Sequence, residues 1–184
     1  MYVADCFNQR VQSFQLPSKT GTPVITSAGF IVGIHSGKDT LPIYATSWGI
    51  PGRLFRWPPV QTLPVSGTQA CNASGGWTSR PYGIAGDQYG NIYVSQNDCH
   101  TIVKWTPNST VPILFAGTGA SGSSPLQLSA PRHMFLDERN SFLYVADTDN
   151  HRVQRFSLSG NGTGVTVAGG NGNGTAAKIG RAHV

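Results

Sequence analysis

Three segments of the chain read in one register: MYVADCFNQRVQSF from Met1, IYVSQNDCHTIVKW from Ile92 and LYVADTDNHRVQRF from Leu143. Tyr2, Tyr93 and Tyr144 hold the same place in each, the last two 51 residues apart. A fourth copy, IYATSWGIPGRLFRW from Ile43, fits when one residue is inserted before Arg53, and Tyr44 then joins the series. A repeat of this length is one supersecondary unit that cannot bury its apolar faces alone, so its copies must stack.

The two best-preserved units each divide into four short apolar runs. In one they fall at 83–87, 92–95, 101–105 and 111–116, with turn-forming residues at 89–91, 96–100 and 107–109 between them. In the other they fall at 133–137, 142–146, 152–158 and 165–168. Four runs per unit predict a four-stranded antiparallel sheet. Radial stacking of such sheets is an all-β propeller. The composition agrees, since charged residues make up 11% of the chain and Gly and Pro are abundant, which favours short strands and turns over solvated helices.

The pattern Pro-x-Gly-Ile-Ala-x-Asp at 81–87, then Gly-Asn-x-Tyr-Val at 90–94, then Arg-Val-Gln-x-Phe at 152–156 and again at 10–14, resembles the NHL-repeat family. The resemblance implies a β-propeller and leaves function open, because that family includes RNA-binding, protein-binding and enzymatic members. The expected blades are 1–29, 30–78, 79–128 and 129–177, about four of a six-bladed ring, the first incomplete and the second degenerate. Met1 stands where Ile92 and Leu143 stand, so the first blade begins at its second strand. The second blade almost lacks the Gly-rich connection between Ala28 and Ile31, and Trp57-Pro58-Pro59 follows its third strand. Residues 178–184 depart from the repeat and read as the in-frame translation of a sequencing-library adapter, so they are expected to be a non-native tail. Without Lys178 and Arg181 the net charge falls from +5 to +3.

Neither charge balance is gathered into a basic run of the kind that nucleic-acid arms carry. No apolar stretch reaches the roughly 18 residues that span a bilayer, and no signal peptide follows Met1. Cys99 lies in the turn after the second strand of its unit and Cys71 lies 28 residues earlier, a pair that could staple the incoming loop to the blade for about 3 to 4 kcal/mol. Cys6 sits in the matching turn of the first unit, with its expected partner upstream. The other reading of the cysteines is three unrelated buried thiols. Asn72, Asn108, Asn161 and Asn173 each begin an Asn-x-Ser/Thr sequon in a predicted loop. Together with paired cysteines they predict an extracellular protein or an ectodomain.

Asp147-Thr148-Asp149-Asn150-His151 places carboxylates beside an imidazole, yet Asp5 and Asn8 repeat part of it, so its expected role is turn capping with Arg10 or Arg152 pairing the carboxylates. No Gly-x-Ser-x-Gly, His-Glu-x-x-His, P-loop or Cys-x-x-Cys motif is present. No catalytic residue and no cofactor is therefore assigned. Of His35, His100, His133 and His151, His133 is the candidate metal ligand, being early in an inner strand where channel-lining residues lie. Trp48, Trp57 and Trp105 with Arg53, Arg56 and Lys104 could form a stacking face for single-stranded RNA, although Trp57 and Trp105 share a repeated position that marks packing. The sequence thus predicts a non-catalytic extracellular scaffold that binds a protein or glycan through propeller loops. A metal-dependent enzyme resembling the amidating lyases and a cytosolic RNA-binding module are the alternatives.

Overall fold

A computed structural model describes residues 1–15, 17, 20–26, 29–36, 42–48, 53–58, 80–107, 109 and 111–172, and the backbone alone of 61–63. The strands are β1 (Tyr2–Asp5), β2 (Arg10–Ser13), β3 (Thr22–Thr26), β4 (Phe30–Ser36), β5 (Ile43–Trp48), β6 (Arg53–Trp57), β7 (Gln61–Leu63), β8 (Pro81–Gly86), β9 (Ile92–Gln96), β10 (Thr101–Trp105), β11 (Ile113–Ala116), β12 (Pro131–Asp137), β13 (Phe142–Asp147), β14 (Arg152–Ser157) and β15 (Gly164–Gly169). They form four antiparallel sheets in simple sequential order, β1 to β3, β4 to β7, β8 to β11 and β12 to β15. One short 3-10 turn, Thr148–Asn150, interrupts them.

The sequence register is the structural register. Tyr2 lies opposite Ser13, Tyr93 opposite Lys104 and Tyr144 opposite Arg155. Tyr44 lies opposite Arg56, one position later, as the inserted residue requires. The second sheet, expected to be degenerate, has all four strands. Its ladder needs only buried side chains on both faces, which Ile43, Ala45 and Phe55 supply on one side and Leu54 on the other. Bulges recur at equivalent places, after Ile31, Pro81 and Pro131 in the inner strands and after Val11, Ile102 and Val153 farther out.

Each sheet uses its two faces differently. On one face stand the tyrosine series and its neighbours Val11, Leu54, Ile102 and Val153. On the other stand Ile43 with Ala45, Ile92 with Val94, and Leu143 with Val145. The tyrosine face of each of the first three blades packs against the second face of the next: Tyr2 and Val11 meet Ile31 and Ala45, Tyr44 and Leu54 meet Ile92 and Val94, and Tyr93 and Ile102 meet Leu143, Val145 and Phe156. Tyr93 is fully buried, and that burial, with Asp87 nearby, pushes its hydroxyl up to about 12, so it serves as neutral packing.

Inner strands approach closely across the blade boundary. A Cβ on Gly83 would collide with the Arg132 carbonyl of the next blade. The Ser95 hydroxyl donates to that same carbonyl at 2.5 Å and accepts from Gly83 N at 2.7 Å. Thr46, at the equivalent position, donates to the Tyr82 carbonyl at 2.9 Å. These bonds satisfy backbone groups that the bulges free.

Burial decides the cost of truncation. Leu143→Ala, at a fully buried boundary position, is expected to lower stability by about 2 to 5 kcal/mol. Ile113→Ala on an outer strand, 56% exposed, is expected to change it by less than about 0.5 kcal/mol. Urea unfolding of both variants checks the contrast.

Candidate functional site

The carboxylate-rich segment after β13 is a clamp. Asp147 ends β13, Arg152 begins β14, and the two are paired across the ladder, with Arg152 Nε 2.6 Å from Asp147 Oδ2. The Asp147 carboxylate also accepts from Ser129 N at 2.6 Å and from Asn150 Nδ2 at 2.8 Å. The remaining guanidinium nitrogens donate to the carbonyls of Ser123, Ser124 and Gln127 at 2.7 to 3.2 Å. Every polar arm therefore holds the segment that leads into β12. The first blade repeats the pair in a more open form, Arg10 to Asp5 at 2.8 Å with Asn8 donating to the same carboxylate, and these two partners hold Asp5 below the usual carboxylate range.

The histidines do not converge. His35 is on β4 and His133 on β12, while His100 and His151 occupy equivalent left-handed turn positions with φ of 54° and 52°. His100 Nδ1 accepts from Ala130 N at 3.1 Å, which ties the third blade to the start of the fourth. Burial lowers the His35 pKa, only partly offset by Glu138 and Asp87. Among the described residues no group of three or more His, Cys, Asp or Glu side chains is placed to hold a metal ion.

Cys99 is 2% exposed and is not a free thiol, whereas Cys6 is free. Cys71, Asn72, Asn108, Asn173 and the 178–184 tail lie outside the described residues. Asn161 sits exposed in the turn between β14 and β15. Trp105 is 3% exposed in a core cluster and Trp57 packs edge-on to Tyr2, partly buried against the core of the first two blades. Trp48 stands apart from both.

Around Trp48 runs a feature that the repeat does not require. Phe7, Phe30, Trp48, Tyr82 and His133 form a continuous chain of rings across all four blades, with centroid steps of 6.3, 6.3, 6.4 and 6.5 Å. They come from a turn, the start of β4, the end of β5 and the starts of β8 and β12, which the antiparallel order brings to one rim. Two guanidinium groups interleave with them, Arg80 over Trp48 at 5.6 Å and Arg132 over Tyr82 at 5.1 Å. Arg80 is also held by Asp98 at 2.6 Å, which raises its pKa. Arg132 has no carboxylate partner among the described residues. Phe7 is 87% exposed and Phe30 39%.

The clamp gives a direct test. Arg152→Ala leaves the fully buried Asp147 carboxylate without its cation and three carbonyls without donors, an expected loss of about 3 to 5 kcal/mol in chemical unfolding. Arg10→Ala, at the more open copy of the same pair, is expected to cost far less in the same measurement, because solvent screens that pair.

Comparison with protein-family models finds no match, and comparison with curated proteins finds none. Among solved structures, virginiamycin B lyase from Staphylococcus aureus superposes with a TM-score of 0.67 at 16% identity over 90% of this chain and 51% of that one. A streptogramin B lyase gives 0.65 at 17% identity over 87% and 48%. An auxiliary nutrient binding protein from Bacteroides thetaiotaomicron gives 0.61 at 20% identity over 85% and 40%. The chain thus spans about half the length, or less, of the structures it matches. At these identities the likeness is one of fold, and the fold is a β-propeller.

Proposed function

We propose that this chain is part of an NHL-type propeller that acts outside the cell as a non-catalytic scaffold, binding an acidic glycan along the rim of rings and arginines. The observation that carries the reading is the alternation itself. Phe30, Trp48 and Tyr82 offer apolar ring faces, while Arg132, stacked on Tyr82 and with no carboxylate partner among the described residues, offers a planar donor fork to an anion. A uronate or sulfated sugar supplies both halves of that match, an apolar ring face and a carboxylate or sulfate. The nutrient-binding neighbour is a precedent for ligand capture on this fold, and no more than that.

The extracellular half of the proposal rests on the exposed Asn161 sequon and on Cys99, buried and engaged in the turn where the sequence pairs it with Cys71. A lyase reading has no group of three or more His, Cys, Asp or Glu side chains in its favour among the described residues. An RNA reading shares the stacking chemistry and is separated by experiment.

Titration with uronate and sulfated oligosaccharides is expected to show binding that weakens as salt rises. Trp48→Ala and Arg132→Ala are each expected to weaken it about tenfold, a change of about 1.4 kcal/mol. Indifference to both variants, or tighter binding of a single-stranded RNA homopolymer, sinks the glycan assignment. Secreted protein is expected to lose mass on glycosidase treatment, and Asn161→Gln to lose one glycan less. Unmodified asparagines with free Cys71 and Cys99 would remove the extracellular placement.

A further inference from the structure

The hydroxyl bonds that cross the joints occur where the rim residues begin. Ala4, Thr46 and Ser95 hold one place in the first three blades, and Val32, Tyr82 and Arg132 hold one place on the inner strand of the blade that follows each. Ahead of Tyr82, whose ring lies in the rim, stands Thr46, and its hydroxyl donates to the Tyr82 carbonyl at 2.9 Å. Ahead of Arg132, whose guanidinium covers that ring, stands Ser95, and its hydroxyl donates to the Arg132 carbonyl at 2.5 Å. Ahead of Val32, an aliphatic residue, stands Ala4, which has no hydroxyl to give. The joint between the first two blades is packed all the same, with Val11, Ile31 and Ala45 buried in it. Packing alone thus closes a joint, and the hydroxyl accompanies a rim side chain.

Both bonds reach the main chain through gaps left by glycine. A Cβ on Gly33 would lie 2.6 Å from the Thr46 hydroxyl oxygen and 2.6 Å from the Tyr82 carbonyl oxygen, and one on Gly83 would lie 2.3 Å from the Arg132 carbonyl oxygen. Ser95 Oγ also accepts from Gly83 N at 2.7 Å, so one oxygen ties the residue after Tyr82 to Arg132. From the same corner Asn97 Nδ2 donates to the Pro131 carbonyl at 3.4 Å and His100 Nδ1 accepts from Ala130 N at 3.1 Å, which fixes the approach to Arg132. A peptide unit is planar, so pinning a residue's carbonyl leaves its Cα little freedom and its side chain departs from a set point. The stack of Arg132 on Tyr82, 5.1 Å from guanidinium carbon to ring centre, joins two blades and holds only while their inner strands keep one offset.

We propose that Thr46 and Ser95 are positioning residues of the rim, whose hydroxyls hold the Tyr82 ring and the Arg132 guanidinium in the stack that meets a sugar face and its anion. Both are 0% exposed, so each acts through its partner and not by touching the ligand. The ligand named here rests on the acidic-glycan reading, whereas the positioning rests on the hydrogen bonds alone.

The test uses variants of the complete protein. Ser95→Ala places there the residue of the first blade and Ser95→Thr that of the second, so both are expected to keep the parent β-sheet circular dichroism. Titrated with a sulfated uronate tetrasaccharide, Ser95→Ala is expected to bind about three- to tenfold more weakly, the range one neutral hydrogen bond contributes. Ser95→Thr is expected to bind as the parent does. In an Arg132→Ala background Ser95→Ala is expected to change affinity no further, because the residue it positions is gone. Without ligand, the Arg132 side-chain protons are expected upfield in proton NMR from the Tyr82 ring current, in the parent and Ser95→Thr, and to return towards ordinary arginine values in Ser95→Ala. Should Ser95→Ala not fold, Thr46→Ala against Thr46→Ser makes the same comparison through the Tyr82 ring signals. Unmoved signals, or an equal loss of affinity with and without Arg132, overturn the proposal. Moved signals in a protein that never binds the tetrasaccharide uphold the positioning and overturn the glycan reading.

Discussion

Everything in this molecule depends on a sheet that is apolar on both faces. A single solvated face would let each blade stand alone, but Ile102 on one side and Val94 on the other both reach 0% exposure, so each blade is finished by its neighbours. At roughly 25 cal/mol per Å² the burial of such side chains outweighs any single polar interaction in the array. The polar bonds that cross the joints, from Thr46 and Ser95 to the next inner strand, set position more than they add stability. They hold the bulged inner strands at the one offset where the facing apolar rows interlock.

That dependence explains what the sequence disclosed. Tyr2, Tyr44, Tyr93 and Tyr144 recur because the joint recurs, and the register that aligns them is the one the ladders keep, including the one-residue insertion before Arg53. The second blade read as degenerate because its turn and glycine signals are weak, while its alternation, which decides burial, was intact. The clamp at Asp147 was legible as a turn. Its reach to Ser123, Ser124 and Gln127 was not, because those acceptors are main-chain carbonyls that carry no side-chain signal.

The ring-lined rim was hidden for a different reason. Phe7, Phe30, Trp48 and Tyr82 sit at four unlike positions of the repeat, so aligning the blades scatters them. Only the order of the strands shows that a turn, two strand starts and a strand end meet at one edge. The usable signal is a departure from the repeat: Tyr82 replaces Val32 and is itself replaced by Arg132, and Trp48 stands where the third blade has Asn97. Residues that the joint does not dictate are free to serve a surface.

The third blade shows how the two demands are reconciled. Its corner has Gln96 and Thr101 where the first and fourth blades have Asp and Arg, joined by one neutral hydrogen bond of 2.9 Å. The charge pair has moved outward, to Arg80 and Asp98 at 2.6 Å, and Arg80 arrives from the segment that precedes β8. Fixed there by Asp98, its guanidinium lies over Trp48 of the second blade. One ion pair thus closes a blade corner and fixes a cation on the rim. The conformational cost of holding that arginine in place is met by a bond the fold already needs.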